Sequence, residues 1–246
     1  MLYSLQKMCK NIMRVTSELD IARCASLASL LEVSASPKPG NVHRFSSPKE
    51  HDKSYEQFLA GIAAIGPHLH DCARESYHLG KRNDDPYSQL HLGFFMKNAL
   101  LSMILHQSGG NLLLGHVLLL FPLVSAAAIA LAHQKLAIGD LEAILRKVLD
   151  SGNPEDVINL YEGIRACNPG GLGNSEKFDI NNPEYKYELR GSDANFQMVF
   201  EINSDRDLIS REWISGFSLT FSESFPRLRD LITQDIPIND GIVQLF

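Results

Sequence analysis

No two cysteines in this chain form a C-x-x-C pair. Cys9, Cys24, Cys72 and Cys167 are widely separated, so neither a zinc site nor a disulfide framework is signalled, and reduced thiols in a cytoplasmic protein are expected. Positive charge is also in short supply. Against 29 Asp and Glu there are 23 Lys and Arg, giving a formal net charge of −6 and a pI near 5.8. Such a chain has no long-range field to attract nucleic acid or an anionic membrane, so a polyanionic ligand must be held by a local basic cluster. Alternation of apolar and polar residues at period two is missing beyond a few residues, which excludes an extended sheet. The amino-terminal run MLYSLQKMCKNIMRV has Lys7, Lys10 and Arg14 among its apolar residues, leaving no unbroken apolar core for a secretory signal.

Charge of either sign vanishes between Lys97 and Lys135. A membrane span has to be weighed there, but Asn98, Ser102, His106, Asn111 and His116 interrupt the run, and Gly109-Gly110 breaks it near the middle. A buried apolar helical hairpin at the centre of a helical protein is the expected form. With 246 residues and 44% apolar content, the chain reads as one all-α domain, with no tandem repeat or linker. Thr16-Ser17-Glu18 is placed to cap a helix running down to Ser34, and a second is expected from Ser54 or Tyr55 toward Gly80, with Pro67 as a kink. The spacing predicts a third over 87–108, a fourth capped by Asn111, a fifth from Gly139-Asp140, and a sixth over 154–167. Residues 168–195 are expected to be loop, and one or two helices close the chain. Hydrophobic faces of this kind also admit a homodimer.

What is present in unusual density is chemistry after the first helix. Residues 32–44 read EVSASPKPGNVHR. Pro37 and Pro39 restrict the backbone around Lys38, and Gly40 allows a sharp turn, so side chains are offered to a ligand at little further cost in entropy. A rigid helix-ending loop with solvated charges is the alternative. Glu32 lies four residues after Ala28 and seven after Ala25, which predicts an inward, small-residue face for its carboxylate. His68, His70 and Asp71 invite a metal reading, but imidazoles two residues apart on a helix diverge by about 200° and chelate poorly.

The ordered set of motifs resembles the triphosphoribosyl-dephospho-CoA synthase family, particularly its archaeal-type members. Residues 32–44 look like that family's signature, and HDKSYEQFLAGIAAIGP, from 51 to 67, is similar to its H-x-D region and the helix after it. YEGIRACNPGGLG, 161–173, and SDRDLISREW, 204–213, look like two further motifs of the family. One departs: the family pattern Asn-Thr-Asn/His-x-Gly reads Asn111-Leu112-Leu113-Leu114-Gly115 here, without the threonine.

The resemblance implies an all-helical transferase that moves the ribosyl triphosphate of ATP to the 2′-hydroxyl of 3′-dephospho-CoA with release of adenine. An ATP and magnesium enzyme with another acceptor, or a non-catalytic nucleotide- or CoA-binding protein, are the alternatives. Breaking the glycosidic bond builds positive charge on the ribose and needs a negative group, a base and an acid. Glu32 and Asp52 are the candidates for Mg2+ ligands or for the base, two jobs left open between them. Lys38 and Arg44 suit phosphate, and His43 suits phosphate or the departing adenine, with Gly40 and Asn41 beside them. Gly110, Asn111 and Gly115 offer an anion seat at a helix start or serve as a plain cap. Gly170 and Gly171 are candidates for a flexible cover, although GGLGNSEK is no Walker A loop. Arg206 and Asp207 either pair with one another to support the site or touch the ligand.

Overall fold

The computed structural model describes residues 15–47, 52–83, 85–170, 173 and 175–246. Every regular element among the described residues is helical. α1 (Glu18–Ser34) and α2 (Tyr55–Arg82) both begin with capping boxes: Ser17 and Asp20 exchange side-chain and backbone bonds at the first, Ser54 and Gln57 at the second. Pro67 lies within α2. α3 (Leu92–Leu105) and α4 (Leu114–Ala132) form the apolar hairpin, followed by α5 (Ile138–Asp150) and α6 (Pro154–Cys167). Asn153 caps α6 through the amides of Glu155 and Asp156, with Pro154 in the first turn.

By length and composition α4 would suit a bilayer, with 19 residues and no Asp, Glu, Lys or Arg among them. Here it is the core helix, packed on α1, α2, α3 and α5. Val117, Phe121, Ala126, Ala128 and Ile129 are completely buried along it. Ser76 and Ser125, both buried where α2 meets α4, satisfy one another at 2.8 Å.

Four expectations need correction. Residues 87–108 do not form one helix: Tyr87–Gln89 is a single 3-10 turn, Leu90 is extended, and α3 starts only at Leu92. α4 begins three residues after Asn111, because Gly110 takes φ +69° and the Leu113 amide is turned inward to the Met103 sulfur. The stretch expected to be loop contains α7 (Tyr185–Gly191), seated by packing of Tyr185 on Tyr161. The closing region holds four helices where one or two were expected: α8 (Phe196–Glu201), α9 (Leu208–Ser215), α10 (Phe225–Thr233) and α11 (Ile238–Leu245). A left-handed Gly216 and a π-turn over Thr220–Ser224 divide them. Trp213, fully buried, ties α9 to the core by stacking on Phe200 at 4.4 Å and donating to the Leu118 carbonyl.

Where α3 and α6 cross, Asp156 is buried, with one oxygen accepting from the Gly93 amide at 2.9 Å. The other oxygen has no partner among the described residues. Burial pushes this carboxyl up to about 6 from 3.8. The folded value exceeds the unfolded one, so Asp156 favours the fold fully below 3.8 and that advantage is lost as pH rises through about 6. A difference of this size is worth about 3 kcal/mol. Asp156→Asn is expected to remove that part of the pH slope, seen by comparing urea midpoints of the two proteins at about pH 4 and about pH 7. Parallel slopes would show that the orphan oxygen is solvated after all.

Candidate functional site

The end of α1 and the turn after it are built around one buried lysine. The Asn41 amide returns to the Lys38 carbonyl at 3.1 Å, with Pro39 and Gly40 between and Gly40 at φ +82°. This is the residue order of a glycine-requiring turn, and it folds the Lys38 side chain back beneath α1. Its ammonium donates to the Glu32 carbonyl and to Glu32 Oε1, both at 2.6 Å, while the side chain is only 2% exposed. The Phe246 ring lies 5.9 Å from the same ammonium. Asn239, in α11, locks the segment from the far end of the chain: its side chain accepts from the Ser36 amide at 3.0 Å and donates to the Ser36 carbonyl at 2.9 Å.

Glu32 was expected on an inward face. Its side chain is instead 46% exposed, at the edge of the helix bundle, because it bridges two elements. Oε1 takes Lys38, and Oε2 lies 3.4 Å from His116 Nε2 in the first turn of α4. Burial alone would raise the carboxyl, but the hydrogen bonds from His116 and Lys38 outweigh it and hold Glu32 at about 2. The carboxylate is therefore a fixed negative charge at neutral pH.

The other side of the α4 start is tied down from α2. Lys53 donates to the Asn111 carbonyl at 2.6 Å, and Gln57 to Ser108 at 3.0 Å. A Cβ at Gly109 would stand 2.9 Å from Gln57 Oε1, so a larger residue here would displace that side chain. Asn111 accepts from the Leu114 amide at 3.3 Å, so it braces the helix start from outside the cap position expected for it.

Asn111 and Gly115 also line a cavity of about 630 Å³ between α4, α6, α8 and α9, together with Gly170, Arg206 and Asp207. One turn of α4 thus shows Gly115 to the cavity and His116 to Glu32. The cavity's outer wall is pinned by α6: Tyr161 donates to the Phe178 carbonyl and Arg165 to the Ile180 carbonyl, both at 2.8 Å. Asp207 does not pair with Arg206; it caps α9 through the amide and hydroxyl of Ser210, at 2.7 and 2.6 Å. Arg206 is exposed at the cavity rim.

Of the remaining expected residues, Asn41, Arg44 and Asp52 are exposed, and His43 is half-buried. Arg44 stacks over Phe45 at 4.8 Å, and His43 Nδ1 accepts from the Phe45 amide at 3.2 Å. Gly171 and His51 lie outside the described residues. Among the described residues no three His, Cys, Asp or Glu side chains gather in a metal-holding group.

Sequence reasoning missed His116, Lys53 and Asn239. His116 had one available signal, its place directly after Gly115 in a motif already singled out. Asn239 had none, since its partner is 203 residues away.

A protein-family model described as ATP:dephospho-CoA triphosphoribosyl transferase matches residues 18–246. No curated protein and no solved structure matches the chain.

Proposed function

The chain belongs to the ATP:dephospho-CoA triphosphoribosyl transferase family, and we propose that it carries out this transfer at the start of α4, flanked by Glu32 and His116 on one side and by Lys53 and Asn111 on the other. The C1′–N9 bond of ATP breaks, the 2′-oxygen of dephospho-CoA bonds to C1′, and the proton lost from that hydroxyl is balanced by one gained by the departing adenine. Positive charge gathers on the ribose as the bond opens, and a fixed anion beside it lowers the barrier. Glu32 supplies that anion.

The observation that carries the assignment is the engagement of both Glu32 oxygens, one by buried Lys38 and one by His116. A carboxylate held at about 2 is a poor proton acceptor near neutral pH, where a base works best with a matched affinity for protons. His116 therefore takes the hydroxyl proton, and Glu32 orients its ring. Lys38 fixes the carboxylate and is too enclosed to grip phosphate. The triphosphate lies along the outer side of the α4 start, with Lys53, Arg44 and His43 as its cationic and hydrogen-bonding partners. Asp52 is the exposed carboxylate able to reach a magnesium ion carried in on the phosphates, where the ion would neutralise their charge. A cytoplasmic location fits the free thiols of Cys24, Cys72 and Cys167.

The test is chromatography for free adenine after incubation with ATP and magnesium, with and without dephospho-CoA. Adenine is expected only with the acceptor. His116→Ala should lower the rate by about 10²–10⁴, with partial recovery on adding imidazole. Release without the acceptor, or a variant as fast as the parent, would remove His116 from the reaction as proposed.

A further inference from the structure

We propose that the 630 Å³ cavity holds the pantetheine arm of the acceptor, so that dephospho-CoA lies across the α4 start with its 2′-hydroxyl at His116 and its thiol end enclosed. The inference rests on the transfer reading above and adds which part of which substrate enters.

Charge removes the first rival occupant, the ATP triphosphate. The only basic side chain lining the cavity among the described residues is Arg206, against two acids, Asp179 and Asp207. A group with about four negative charges finds a single cation there, outnumbered by carboxylates.

Polarity removes the second, the adenine of ATP. Most polar lining residues sit outward: Asn203, Arg206 and Asp207 are exposed, and Asn111, Ser175 and Asp179 are half-buried. The buried lining is Leu118, Leu160, Val199 and Phe200, together with Tyr161, Phe178 and Ser210, whose hydroxyl donates to Asp207 at 2.6 Å. Tyr161 has spent its hydroxyl on the Phe178 carbonyl, and Phe200 has given one ring face to Trp213. A purine placed on this floor would lose hydrogen bonds at its ring nitrogens and amine without replacement. Its volume is also small for a space that suits a drug-sized ligand.

The arm of dephospho-CoA has the opposite grading. Its diphosphate end is anionic, two amides follow, and the end is a short aliphatic thiol. Arg206 at the rim faces the diphosphate, the polar rim faces the amides, and the apolar floor receives the end. Because Gly115 lines this cavity and His116 is the next residue, an arm seated there holds the nucleoside of the same molecule beside the reacting groups. The wall is built in advance by the anchors of Tyr161 and Arg165 on residues 178–180, so little ordering is left for the substrate to do.

Pantetheine, which lacks adenine and phosphate, is the probe. It is expected to inhibit competitively against dephospho-CoA and non-competitively against ATP, and to bind by calorimetry in the absence of either. Ile209→Trp, which fills the cavity from α9, should raise KM for dephospho-CoA about tenfold or more and abolish inhibition by pantetheine, leaving KM for ATP within about twofold. Ile164→Trp, from the α6 wall, gives the same readout should the first variant fail to fold. Competition of pantetheine with ATP, absence of binding, or a KM change confined to ATP would each overturn the assignment. Calorimetry needs no turnover, so pantetheine binding to a chain that releases no adenine would fault the transfer reading and leave the arm site standing.

Discussion

Glu32→Gln is expected to lower kcat by about 10³, with KM for ATP little changed and the fold intact. The amide oxygen of Gln is placed to accept from Lys38 where Glu32 Oε1 now does at 2.6 Å, so the turn over residues 38–41 keeps its anchor. What the variant lacks is the charge. Lys38 is 2% exposed, and its ammonium would keep the backbone carbonyl of residue 32, the new amide oxygen and the Phe246 ring as partners but lose the carboxylate charge. Removing one member of an enclosed ion pair costs most when both are buried, but Glu32 is 46% exposed, and solvent screens much of the loss. A fall of only a few degrees in Tm is therefore expected. In the parent, the folded carboxyl at about 2 lies below its ordinary 4.5, so the stability it confers is complete above 4.5 and lost as pH falls through about 2. Near neutral pH Glu32 stays ionised, and an acid limb of activity there must come from another group. Activity and thermal unfolding measured on one preparation separate the two roles. A variant retaining more than about a tenth of parental kcat would show that this charge does not act on the ribose, and collapse of the fold together with activity would make Glu32 a structural residue.

The part of this site that could be read in the sequence is the part built locally. Pro37, Pro39 and Gly40 announce their backbone constraints directly, and the helix ending at Ser34 follows from the Thr16-Ser17-Glu18 cap and the apolar spacing after it. Asn111 and Gly115 were visible for the same reason, as a glycine break before a long apolar helix. Pairing between distant segments was not legible. Lys38 reads as a free phosphate ligand until the turn folds it under α1, and Glu32 reads as inward until His116 draws it to the edge of α4. Arg206 and Asp207 are adjacent in sequence and opposite in charge, yet helix capping claims Asp207. The long segment after Cys167 hid α7 because seven residues are too few for a periodic signal, and its formation depends on the tertiary contact of Tyr185 with Tyr161. Glycine within a helix is the extreme case, since its local cost says nothing of what passes close by.

Gly93→Ala is expected to destabilise the protein by about 3 kcal/mol or more. In isolation the change should help, because alanine is the better helix former by about 1 kcal/mol. Packing reverses the sign. A Cβ at Gly93 would stand 2.0 Å from the Asp156 carbonyl oxygen and 2.6 Å from its carbon. Both atoms are backbone in the first turn of α6, so no side-chain rotation relieves the clash, and α3 must move away from α6. That movement also threatens the 2.9 Å bond from the Gly93 amide to Asp156, stripping a partner from a buried carboxyl whose other oxygen already lacks one. Further along the same crossing, Gly163 gives a graded comparison: a Cβ there would lie 2.9 Å from Leu100 Cδ1, the end of a flexible side chain, and 3.1 Å from Lys97 Cα. Gly163→Ala should therefore cost clearly less than Gly93→Ala, because part of its clash can be relieved by rotating Leu100. Urea unfolding of the three proteins at one pH measures the order. A Gly93→Ala loss below about 1 kcal/mol, or one no larger than that of Gly163→Ala, would mean that the two helices do not approach so closely at Asp156. The crossing also carries a consequence for activity, since α6 supplies Tyr161 and Arg165, which pin the cavity wall. A folded Gly93→Ala variant is accordingly expected to show a raised KM for dephospho-CoA before any change in KM for ATP.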